Sequence, residues 1–112
     1  MSLFSNISKR TNSGQKDADL RPITLRMGGE MSLIKFMEFL PEYNFDVLTP
    51  RQDYHEIYAR KDEFEFTISF IEDFGKTHVS ILCYSETKPL KIKKNLKLLM
   101  VFIREKMDSY II

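Results

Sequence analysis

Two sets of side chains in this chain have the types and spacing to recognise another molecule. Tyr54, Tyr58 and Tyr84 fall in alternating segments with Thr67, Ser69, Ser80 and Leu82. Tyrosine rings stack on nucleobases without regard to base identity, and hydroxyls add hydrogen bonds, so this set suits single-stranded nucleic acid or a partner protein. The second set is a lysine run, Lys88, Lys91, Lys93, Lys94 and Lys97, with no acid before Glu105. Cations in the first turns of a helix oppose its macrodipole by about 0.3 kcal/mol or more each. An acidic partner surface or a nucleic-acid backbone would give the run a purpose, with salt-dependent affinity for a backbone. The plain alternatives are a solvated strand face rich in β-formers and a solvated helix face whose lysine stems cover apolar surface.

Support for catalysis is thin. His55 is expected on the core side of a strand and His78 beside a turn, and neither has a second histidine or cysteine at metal-ligand spacing. Asp62-Glu63 and Glu72-Asp73 fall in expected turns, with no neighbour to split their proton affinities into acid and base roles. Gly28-Gly29 is too short for a nucleotide-binding fingerprint and reads as a turn. Cys83, the single cysteine, forms no internal disulfide and reads as a small core residue, which favours a reducing, cytoplasmic setting. The protein is therefore expected to be no enzyme, with no cofactor and no metal. Glu65, Thr67 and Ser69 occupy positions where an RNA-recognition domain would carry aromatics on its central strand, so that resemblance fails.

The elements that would carry these residues follow from hydrophobic periodicity. Segments 54–59, 64–70 and 78–84 alternate apolar and polar residues, which predicts a three-stranded antiparallel meander over residues 54–84. A turn at Lys61-Asp62 would put Ala59, Ile57 and His55 opposite Phe64, Phe66 and Ile68. A turn at Phe74-Gly75 would pair Phe70 with Val79, Ile68 with Ile81 and Phe66 with Cys83. Both turns select one apolar face, and a slip of one residue would turn four of its side chains to water. Ile23, Leu25 and Met27 alternate after Pro22 and predict an N-terminal strand, while a short extra strand fits near Phe45–Leu48.

Leu33, Ile34, Met37 and Leu40 recur at helical spacing until Pro41 ends the pattern. Ile92, Leu96, Leu99, Met100, Ile103 and Met107 predict a terminal helix entered at Lys88-Pro89. The expected fold is thus a two-layer α+β domain, with an antiparallel sheet and two helices on one face. It spans residues 20–112 behind a flexible N-terminal tail, residues 1–19, whose composition cannot repay the entropy of ordering it alone.

The terminal helix also has apolar residues beyond that stripe, namely Leu98, Val101 and Phe102, and the chain ends in Tyr110-Ile111-Ile112. One small sheet covers one side of a helix, so these residues are either covered by the first helix and the Phe45–Leu48 loop or form a self-association surface. Seventeen Lys and Arg against sixteen Asp and Glu leave a net charge of +1, so no bulk field holds the molecule on nucleic acid or an anionic membrane. No apolar run reaches the ~20 residues of a membrane span, and no signal peptide is expected. These features lead to a small interaction or adaptor protein that homodimerises through its terminal helix and binds a protein partner. The alternative is a nucleic-acid-binding accessory protein using Lys91, Lys93, Lys94 and Lys97 with the tyrosine-bearing face.

Overall fold

A computed structural model of the chain describes residues 8–12, 14–48 and 55–112. Six strands, β1 (Ser8–Arg10), β2 (Ile23–Leu25), β3 (Asp46–Val47), β4 (Glu56–Lys61), β5 (Phe64–Asp73) and β6 (Lys76–Tyr84), form one antiparallel sheet. Helix α1 (Gly29–Phe39) lies between β2 and β3, and α2 (Ile92–Met107) follows β6. The class is α+β.

Period-two alternation builds the middle of the sheet. Phe64, Phe66, Ile68 and Phe70 of β5 are buried while Glu65 and Ile71 are exposed and Thr67 and Ser69 half-buried. Opposite them, β6 buries Val79, Ile81 and Cys83, and β4 buries Ile57 and Ala59. Phe70 faces Val79, Ile68 faces Ile81 and Phe66 faces Cys83, the expected register. Phe74 and Gly75 at that turn have φ of 50° and 79°, which glycine adopts freely.

The first hairpin turns one residue later than expected. Asp62, with φ of 55°, and Glu63 form its tip, and Lys61 pairs with Phe64. Aspartate tolerates left-handed backbone better than lysine does. Each β4 residue consequently moves two places along β5, so Ile57 faces Ile68 instead of Phe66. A shift of two preserves the side of every residue, which is why the same apolar face survives. His55 departs from expectation: it precedes β4 with φ of 50° and is half-buried, and a methyl group on Gly29 would come within 3.2 Å of its Nδ1.

The stretch expected to trail as a tail contributes to the sheet from residue 8. β1 and β2 lie end to end along the edge of β6 that β5 leaves open, pairing with Leu82–Tyr84 and Thr77–Val79. Thr11 fills the gap between them. Its N–H donates to the Ile81 carbonyl at 2.9 Å, and its hydroxyl accepts the Ile81 N–H at 3.0 Å, so neither buried peptide group loses its partner. Residues 1–7 and 13 of the expected tail lie outside the described residues.

Helix α1 buries Leu33, Phe36 and Phe39, while Ile34 is exposed and Met37 half-buried, so the helix is rotated from the expected stripe. The aromatic rings decide this: Phe36 meets Phe70 edge-on at 4.9 Å and 89°, burying more apolar area than Ile34 would. The stripe of α2 is as expected, with Ile92, Leu96, Leu99, Met100, Ile103 and Met107 all 3% exposed or less. Both helices contribute to one buried cluster with the apolar sheet residues. No helix among the described residues is long and apolar enough to cross a membrane.

Candidate interaction surfaces

The sheet face turned away from this cluster carries most of the tyrosine set in fixed rows. Register places Tyr58, Thr67, Leu82 and Arg10 side by side, with Arg60, Glu65, Tyr84 and Ser8 in the neighbouring row and Glu56, Ser69 and Ser80 in another. Tyr58, Leu82 and Tyr84 are half-buried there, and Tyr54 lies outside the described residues. The Tyr58 hydroxyl donates to Glu56 Oε2 at 2.6 Å, and Arg60 pairs with Glu65 at 2.6 Å. A hollow of about 220 Å³ at the end of the Tyr84 row is lined by Asp62, Glu63, Glu65 and Glu86 against Arg60. Four carboxylates against one guanidinium repel a phosphate backbone, so this end of the face suits protein better than nucleic acid.

The lysine run separates into paired and unpaired members. Lys97 reaches Asp17 at 2.7 Å, and Lys88 reaches Glu63 at 3.6 Å. Hydrogen bonding to Lys97 lowers the Asp17 carboxyl from its ordinary value and raises the Lys97 ammonium, as expected for mutual stabilisation of two charges. Lys91, Lys93 and Lys94 are exposed and make no ion pair among the described residues. Lys88, Lys91, Lys94 and Leu98 line a groove of about 510 Å³ together with Asp62 and Glu63. The helix behind them starts at a Pro89–Lys91 3₁₀ turn, without a side-chain cap and without an acid in its first turn.

Tertiary packing takes up part of the expected self-association set. Phe102 is half-buried, stacked on Tyr43 at 4.1 Å and 14°, with Lys61 Nζ 5.5 Å from its ring. Tyr110 and Ile111 are half-buried along β2, where the Tyr110 carbonyl accepts the Arg26 N–H at 2.8 Å and Ile111 bridges Leu25. Leu98 and Val101 remain 41% and 45% exposed. They sit in an outward stripe of α2 and the short turns at its two ends, namely Lys91, Lys94, Leu98, Val101, Glu105 and Asp108, all exposed. Glu105 and Asp108 were missed as members of this surface, although their continuation of the three-and-four spacing was readable in the chain.

No family model matches this chain, and no curated protein matches it.

The scattered reactive groups are occupied or shielded. His78 Nδ1 lies 2.9 Å from the Thr24 hydroxyl and its Nε2 lies 3.7 Å from Asp73. Burial pushes the Cys83 thiol up to about 12, so almost none of it is thiolate at neutral pH. Among the described residues, no three His, Cys, Asp or Glu side chains are grouped to hold a metal ion. The free amides where α1 begins attract anions, and the protein supplies its own: Glu72 Oε1 accepts the Gly29 N–H at 2.6 Å.

Proposed function

We propose that this protein is a non-enzymatic interaction protein that self-associates through α2 and presents a sheet face to a protein partner. The observation that carries the reading is the pair Leu98 and Val101, left exposed on a helix whose other aliphatic residues are almost fully buried. In this reading β4, β5 and β6 form a meander, both helices cover one of its faces, and the other face, with Tyr58, Thr67, Leu82 and Tyr84, stays accessible. A cytoplasmic setting fits a free, buried Cys83. The test is solution mass by light scattering for the wild type, Leu98→Glu and Val101→Glu. The expected result is a dimer that either charge converts to a folded monomer. A wild type that stays monomeric at its highest soluble concentration rejects the reading.

A second reading, nucleic-acid binding, is favoured by the exposure of Lys91, Lys93 and Lys94 without ion pairs among the described residues. It expects oligonucleotide affinity that falls steeply with added salt and weakens on Lys94→Glu. Absent or salt-insensitive binding rejects it.

A further inference from the structure

The outward stripe of α2 and the turns at its two ends has a symmetry that a single chain does not use. Its residues Lys91, Lys94, Leu98, Val101, Glu105 and Asp108 are spaced three, four, three, four and three apart, the seam of a two-helix coiled contact. They mirror about the Leu99–Met100 peptide bond. Leu98 and Val101 are equidistant from it, as are Lys94 and Glu105, and Lys91 and Asp108. Each cation is the mirror of an anion, and each aliphatic the mirror of an aliphatic.

We propose that two copies of this chain pair through antiparallel α2 helices about a two-fold axis at this midpoint. Leu98 of each then packs on the partner's Val101, Lys94 faces the partner's Glu105, and Lys91 faces the partner's Asp108. This rests on the self-association reading above and adds the occupant, the direction and the register. A two-fold contact is isologous, so one patch must complement itself, which a charge-mirrored stripe does. Parallel helices in register would set lysine against lysine, so the pattern selects the antiparallel arrangement.

Two further observations point to a second copy. On the flanks of α2, Lys97 is spent on Asp17 and Lys106 on Glu42, at 2.7 Å and 2.6 Å, whereas the four stripe charges make no ion pair among the described residues. The Tyr43 hydroxyl stands 3.4 Å from Glu105, long for an O–H···O bond, so that carboxylate is not strongly held. The stripe charges also oppose the macrodipole of their own helix, cations at its start and anions at its end. Antiparallel pairing lays the lysines beside the partner's C-terminal turn and the acids beside its N-terminal turn, where the same charges become favourable. A nucleic-acid backbone would satisfy the lysines and be repelled by Glu105 and Asp108.

Charge exchange tests the pairing. Solution mass is measured for full-length wild type, Lys94→Glu, Glu105→Lys, an equimolar mixture of the two variants, and the double variant, with circular dichroism as the folding control. Each single variant places like charges face to face and should raise the dimer dissociation constant roughly tenfold or more. The mixture should recover a heterodimer, because both of its facing pairs are again opposite in sign, and the double variant should recover the homodimer. Lys91→Glu and Asp108→Lys form a second, independent exchange if either first variant loses its fold. A wild-type dimer unmoved by any single charge, or single variants whose mixture stays monomeric, overturns the antiparallel register while leaving self-association standing. A wild type that never dimerises overturns both.

Discussion

The two sides of α2 come from the same sixteen residues and obey different rules. Its inner side, from Ile92 to Met107, is apolar without exception and reaches the sheet, where each fully buried aliphatic contributes on the order of 2 kcal/mol. Its outer side sets the exposed pair Leu98 and Val101 between Lys94 and Glu105, neither of which makes an ion pair among the described residues. The inner side answers to a surface this chain supplies. The outer side carries as regular a pattern with no such surface among the described residues. Between the two, Phe102, Lys97 and Lys106 are held by Tyr43, Asp17 and Glu42.

That contrast breaks most sharply on neighbouring leucines. Leu99→Ala on the inner side should cost about 2–5 kcal/mol of unfolding free energy through lost contacts and a cavity. The same truncation at Leu98, measured where the protein is monomeric, should stay within about 0.5 kcal/mol. Chemical denaturation of the two variants side by side gives both numbers, and equal losses would erase the distinction between the sides. Phe102→Ala should fall between them at about 1–2 kcal/mol, because it loses a half-buried ring and its stack on Tyr43.

The smallest effect belongs to the flank, where pH sharpens the comparison. The Asp17 carboxyl is lower when folded than unfolded, so its stabilisation is present above the ordinary value of 3.8 and is lost as pH falls through the lower folded value. Lys97 is raised, so its share is present below about 10.5 and is lost as pH climbs through the higher folded value. The difference in denaturation midpoint between wild type and Asp17→Asn should therefore be largest across neutral pH and shrink toward both extremes. Both side chains keep about a third of their surface in water (39% for Lys97 and 30% for Asp17), so the difference stays small and falls with added salt. A difference independent of pH would remove the ion pair from the account.

Much of the sheet was legible because period two leaves an unambiguous trace. Phe64, Phe66, Ile68 and Phe70 could face only one way, and even a misplaced first turn left Ile57 and Ala59 on the correct side. β1 left no such trace: Ser8-Lys9-Arg10 has no apolar alternation and pairs because β6 has an open edge for it. The rotation of α1 was hidden too, since Ile34 and Phe36 both fit helical spacing and the ring of Phe70 chooses between them. At the candidate surfaces, the lysines were visible as a run, but Lys97 belongs to Asp17, eighty positions earlier, a distance local pattern does not span. The outer stripe had the opposite difficulty. Its spacing was plain in the chain, yet helical spacing fits either side of α2, and Glu105 and Asp108 look ordinary until Leu98 and Val101 are known to point outward.

The sequence by itself determined the α+β class, the faces of the central strands and the buried stripe of α2, because each follows from local periodicity and from the cost of turning apolar side chains to water. Tertiary structure alone decided which charges were spent internally, which helix side remained uncovered and how the N-terminal residues completed the sheet. Those are outcomes of long-range pairing, in which two segments compete for one surface, and no window along the chain contains both competitors.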